Sequence, residues 1–152
     1  MPTFENQVEA LIQSAHAICE SAQNCNWDGQ GWGPVIILGH VLDVDNEVWM
    51  PRFELMRIAM NNKARIPQLS WWEPDAAETE KKYEASSLDT AKTNLLVSRN
   101  SMQNYLVGLS ENERRAAAQH KTFGTITIES MLQIILDHDE EHRASLNQRT
   151  GK

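Results

Sequence analysis

Apolar residues in this chain recur at helical spacing almost throughout. From Thr3 to Ala22, the positions Phe4, Val8, Leu11, Ile12, Ala15, Ile18, Cys19 and Ala22 fall on one face. That is the i, i+3, i+4, i+7 stripe of a helix lying against a core. A turn rich in Gly, Asn and Asp (NCNWDGQGWG) ends it. The second helix is predicted to start at Pro34, where a missing N–H costs nothing. Pro51 ends or kinks it, and FELMRIAMNN resumes the period up to about Asn62. The next connection is polar, contains Pro67 and Pro74, and is long for a bundle loop.

The third helix is predicted over about Thr79 to Leu109, with a stripe of Leu88, Ala91, Leu95, Met102 and Leu106. Ser110 and Glu113 then form a capping pattern that predicts a short helix before Gly124. Thr127 is a good N-cap for a fourth helix reaching about Asn147. FGTITI is β-branched but too short to require a sheet. The expectation is an all-α chain, a four-helix bundle with helices of about 30–45 Å. At 152 residues it makes one domain, 1–152.

Charge and hydropathy exclude some function classes. Fourteen Lys and Arg against 21 Asp and Glu leave a net charge of −7. A broad nucleic-acid footprint needs clustered basic residues, so none is expected. No apolar run reaches membrane-spanning length. MPTFENQVEA has neither a cationic n-region nor an apolar h-region, so a cytoplasmic protein is expected. Cys19 and Cys25 lack metal or redox spacing and read as two thiols without a disulfide.

The five histidines carry the chemistry. His138 and His142, in HDEEH, lie one helical turn apart on one side of the fourth helix. The stripe Met131, Ile134, Ile135 runs into them, so both rings point inward. Asp137, Asp139 and Glu140 fall off the stripe and read as solvated. His40 shares a face with Ile36, Ile37, Val41 and Val44 and also points inward. Buried imidazoles need partners, and two readings stay open. One is a shared cation with three protein ligands and an open position. The other is three core histidines bonded to carbonyls or carboxylates. His16 reads as a boundary residue and His120 first as an exposed loop residue, with a place in the pocket lining as the alternative.

Asp43 and Glu47 are candidates to orient an imidazole or act as a base. Each taken singly reads first as part of a solvated acidic face with Asp45. Trp27 and Trp32 read as core closure. One of Trp71 and Trp72, in a Pro-flanked loop, reads as a substrate or interface contact.

Two blocks carry a family resemblance. WDGQGWGPVIILGHVLDVDNEVW and FGTITIESMLQIILDHDEEHRASL resemble the first and last metal-bearing segments of the DinB-like (DinB/YfiT) superfamily. The resemblance implies a four-helix bundle with a non-sequential helix order and a long link between helices two and three. It implies a divalent ion (nickel, zinc or iron) held by His40, His138 and His142. It also implies a homodimer and a small-molecule substrate. Some members of such a family are thiol-dependent transferases using a low-molecular-weight thiol. A metal-dependent thiol S-transferase or hydrolase is therefore one expectation. A non-catalytic stress-response or ligand-binding module with a structural metal is the alternative.

The helix order matters for the histidines. In an up-down-up-down bundle helices two and four run parallel, and His40 would sit roughly 7–15 Å from the level of His138 and His142 at ~1.5 Å per residue. A rearranged order removes that separation.

Overall fold

The computed structural model describes residues 2–150. Helix α1 spans Phe4–Gln23 and α2 spans Pro34–Val44. A π-helical turn over Asp45–Trp49 leads directly into α3, Met50–Asn61. The link to the third long helix holds β1, Gln68–Leu69, and α4, Ala76–Tyr83. Then come α5, Leu88–Val107, and a single turn, α6, Glu111–Arg114. Strands β2, Ala117–His120, and β3, Gly124–Thr127, precede α7, Ile128–Thr150.

The long helices α1, α2–α3, α5 and α7 form a four-helix bundle. Its order is not sequential: α1 lies chiefly against α7 and α5, and α2 against α5. Two apolar clusters fix the directions. At one end Phe4 and Leu11 meet Val48, Phe53, Met102, Leu106, Met131 and Ile135. At the other, Ala15 and Ile18 meet Ile37, Leu38, Val41, Ala91, Leu95 and Leu146. Reading along each helix, α1 and α7 run one way and α2–α3 and α5 the other. Consecutive long helices two and three are therefore parallel, and parallel neighbours need a crossover. The long link supplies it. Because α2 and α7 are antiparallel, an early residue of one meets a late residue of the other.

Helix two does not stop at Pro51. Pro51 has no N–H to donate and its ring would clash with the carbonyl four residues back. The chain widens just before it, with Met50 N–H bonding Asp45 O, and continues as α3. The extra residue of a π turn rotates the side chains of α3 relative to those of α2. Asp45, Val48 and Trp49 are all buried there.

The third helix departs from its expected bounds. It breaks between Tyr83 and Leu88, where Ser87 caps α5 by accepting the Thr90 N–H. Gly39 explains what α4 gains. A Cβ at Gly39 would lie 2.3 Å from Tyr83 Cδ2, so only glycine lets α4 lie this close to α2. Gly39→Ala is expected to cost about 1–3 kcal/mol through overpacking and to displace Tyr83. Thermal unfolding checks the cost, and an unchanged midpoint would refute the close contact.

A small sheet forms where none was expected. Its order is β1-β2-β3, with β1 parallel to β2 and β2 antiparallel to β3. The alanines of AAAQH favour a helix locally, but Ala118 and His120 are buried by the sheet instead. Gly124, at φ 75°, permits the reversal between β2 and β3. The sheet ties the long link to the start of α7.

A polar layer separates the two clusters. Arg99 on α5 is fully buried and donates all five of its N–H groups. It makes paired bonds to Asp45 (3.1 and 3.2 Å) and to Asp139 (2.6 and 3.1 Å), and a fifth to Leu11 O at 2.9 Å. One guanidinium so fastens α1, the π turn and α7. The expectation of solvated acids is corrected here: Asp45 and Asp139 are 0% exposed. A carboxylate inside the core is stable only with such a partner. Burial pushes Asp45 up to about 6, against the pull of Arg99.

Candidate metal centre

The antiparallel pair α2 and α7 brings His40, His138 and His142 together. One ring nitrogen from each lies within 4.8 Å of the others. His142 Nε2 and His138 Nε2 are 3.1 Å apart. Ring centroids are 4.8 Å apart for His40 and His142 and 5.5 Å for His40 and His138. Trp32 and Trp72 flank His40, at 5.2 and 6.4 Å between centroids, and Trp49 meets His138 at 5.9 Å.

The donor set fits a divalent ion. Two imidazole nitrogens bound to one ion at about 2.1 Å and 3.1 Å apart subtend an angle of about 95°. That is an ordinary angle between adjacent ligands. His40 Nδ1 and His138 Nδ1 are buried with no hydrogen-bond partner among the described residues. No hydrogen bond joins any of the three rings to a carbonyl or carboxylate among the described residues. Burial pushes His40 down to about 4, helped by His142. Burial pushes His138 down to about 3, with His142, His40 and Arg99 adding to it. His142 is lowered as well, again chiefly by burial. All three rings are neutral at pH 7, with lone pairs available to a cation.

These shifts make the metal-free fold sensitive to acid. Histidines whose folded pKa is depressed bind more protons when unfolded. Their contribution is fully present above about 6.5 and is lost as pH falls toward 4 and then 3. Asp45, raised to about 6, has the opposite sign. Several histidines against one carboxylate leave the net direction with the histidines. Urea unfolding in chelator is expected to give lower stability at pH 5 than at pH 7.5. Equal midpoints would contradict the buried, neutral state of the rings.

A cavity of about 580 Å³ opens over the three histidines. Its walls include Val48, Trp49, Trp71, Trp72, Phe123 and Ile134, with Arg52 and His120 among the polar groups. The volume suits a small molecule. Trp72 is half-buried against His40, and Trp71 is 61% exposed. Trp27, expected as core closure, is 45% exposed, lies against Gly33 and donates its Nε1–H to Gln30 O.

The acidic candidates lie elsewhere. Asp43 is buried, and its Oδ1 accepts from Lys82 Nζ at 2.8 Å and from the Tyr83 hydroxyl. It makes no bond to an imidazole, although its charge opposes the fall in the His40 pKa. Its expected solvation is corrected by this pairing. Glu47 is exposed and lines a neighbouring pocket with Asp43 and Lys82. His120 also needs correction: it is 2% exposed, in β2, and lines the cavity. Sequence reading missed Arg52, and it placed His120 in an exposed loop first. For His120 the missing signal is the hairpin, which local propensity hides.

The fold and the cluster define a class: a four-helix bundle with three histidines at the base of a cavity. The chain belongs to the DinB superfamily, whose family model matches residues 4–146. It is also similar to the solved structure of YfiT from Bacillus subtilis, described as a probable metal-dependent hydrolase with an unusual four-helix bundle topology. The two superpose with a TM-score of 0.72 at 17% identity, over 97% of this chain and 87% of that one. No curated protein matches the chain. Among the described residues no helix is long and apolar enough to cross a membrane.

Proposed function

We propose that the chain is a metal-dependent hydrolase of small molecules, working at a divalent ion held by His40, His138 and His142. The single observation that carries this is the open cavity above three neutral imidazoles. A purely structural metal would be closed by a fourth protein ligand. Nickel, zinc and iron all suit three imidazoles.

A divalent ion there supplies Lewis acidity, which brings the pKa of a water near neutrality and polarises a substrate carbonyl. The protein's own residues do the rest. Neutral imidazoles leave the ion's charge uncompensated, which favours an anionic group in the open position. Trp32 and Trp72 pack beside the His40 ring and Trp49 beside the His138 ring, which limits how those rings can turn. Arg99 holds Asp139, which lies between His138 and His142 in sequence, and so fixes the level of α7 against α2.

The same preference for an anion suits a thiolate, so thiol transfer is the reaction to be distinguished. Untagged protein is to be assayed for metal by elemental analysis. Ester and amide hydrolysis and thiol conjugation are then compared with and without chelator. Chelator-sensitive hydrolysis without added thiol is expected. Turnover only with a thiol would turn the assignment to a transferase, and stoichiometric metal with no turnover to a binding module.

A further inference from the structure

The wall of the cavity holds two polar groups that the metal centre does not use. Arg52, on α3, is half-buried and lines the cavity. Its one hydrogen bond is Nη2–H to Ser70 O at 2.7 Å, and no carboxylate among the described residues lies within ion-pair distance. Burial draws its pKa down, as expected for a charge taken partly out of water. A half-buried guanidinium without an anion leaves most of its five donors unanswered.

His120 stands near it: strand pairing sets His120 opposite Leu69, the neighbour of the Ser70 that Arg52 bonds, and both side chains line the cavity. Its Nδ1 accepts the Thr122 N–H at 2.9 Å and the Phe123 N–H at 3.4 Å. A nitrogen that accepts two N–H bonds carries no proton, so the neutral ring carries its proton on Nε2. That N–H has no partner among the described residues. His120 is therefore a fixed hydrogen-bond donor in the same wall as a fixed cation.

We propose that Arg52 and His120 form a carboxylate-binding subsite, so that the substrate is a small molecule bearing one carboxylate besides its reacting group. The placing of the reaction rests on the metal-centre reading above. Trp71, Trp72, Phe123 and Ile134 line the cavity and suit an apolar body for that molecule. The rim acids limit its charge. Glu73, Asp137 and Glu141 are exposed, with Glu73 accepting from Trp71 Nε1 and Asp137 from Gln133 Nε2. None pairs with Arg52. They would repel a dianionic phosphate that one guanidinium cannot neutralise, and they tolerate a single carboxylate.

Benzoate and its neutral isostere benzamide are the probes, titrated into the full-length protein with tryptophan fluorescence as the readout. Wild type is expected to bind benzoate roughly tenfold or more tightly than benzamide, the effect of a hydrogen bond to a charged group. Arg52→Gln should erase that ratio, and Arg52→Lys, which keeps a cation near Ser70, should retain part of it. His142→Ala, which removes a proposed metal ligand, should leave the ratio standing. If His142→Ala erases it and Arg52→Gln does not, the carboxylate sits at the metal centre and the subsite is overturned. Equal binding of the two probes by wild type, or no binding of either, overturns it as well. Failure of the metal reading would show separately, as wild-type protein without stoichiometric metal.

Discussion

Arg99→Ala is expected to destabilise the protein by about 3–5 kcal/mol. Asp45 and Asp139 would remain inside the core without a counter-charge, and the Leu11 carbonyl without its donor. For a domain of this size the melting temperature should fall by roughly 10 °C or more. Urea unfolding at pH 7 measures the loss. Arg99→Lys should fall well short of wild type, since an ammonium offers three donors where five are used. Replacing all three charged residues with apolar or amide side chains should recover much of the stability, because the penalty lies in the unpaired charges. A change below about 1 kcal/mol for Arg99→Ala would show the network to be unimportant.

His138→Ala and His142→Ala are each expected to lower zinc affinity by at least ~100-fold, since even groups that only orient a ligand are worth 10–100-fold. The readouts are metal content of untagged protein and competition with a coloured chelator. Wild type should also gain stability from zinc, about 2.7 kcal/mol when zinc exceeds its Kd a hundredfold, and the variants should not. A variant that keeps wild-type metal content would remove its histidine from the centre. Wild type that takes up no metal would end the metal reading altogether.

The helices were legible because burial leaves a period in the sequence. Stripes on α1, α5 and α7 match the buried residues closely. The inward direction of His40, His138 and His142 follows from the same period. The polar layer was missed for a reason the period itself contains. Arg99 sits four after Leu95 and three before Met102, a core register. Asp45 and Asp139 hold core registers too, four after Val41 and Ile135, although the narrow stripe drawn through Met131, Ile134 and Ile135 left Asp139 outside it. A polar residue there reads as a break in the stripe unless its partners on the other helices are known. His120 was misplaced because β2 is built by pairing with β1 and β3, and local propensity carries no record of a distant strand.

Sequence alone determined a helical bundle with three inward histidines, since helical period and side-chain chemistry are properties of a segment. Only the tertiary structure decided that α2 and α7 run antiparallel, and so that His40 meets His138 and His142 at one level. It also decided that one guanidinium joins two buried carboxylates and that Arg52 and His120 share a cavity wall with the cluster. Each of these is a relation between segments far apart in the chain. Such relations are set by how the helices pack and cross, which no single segment encodes.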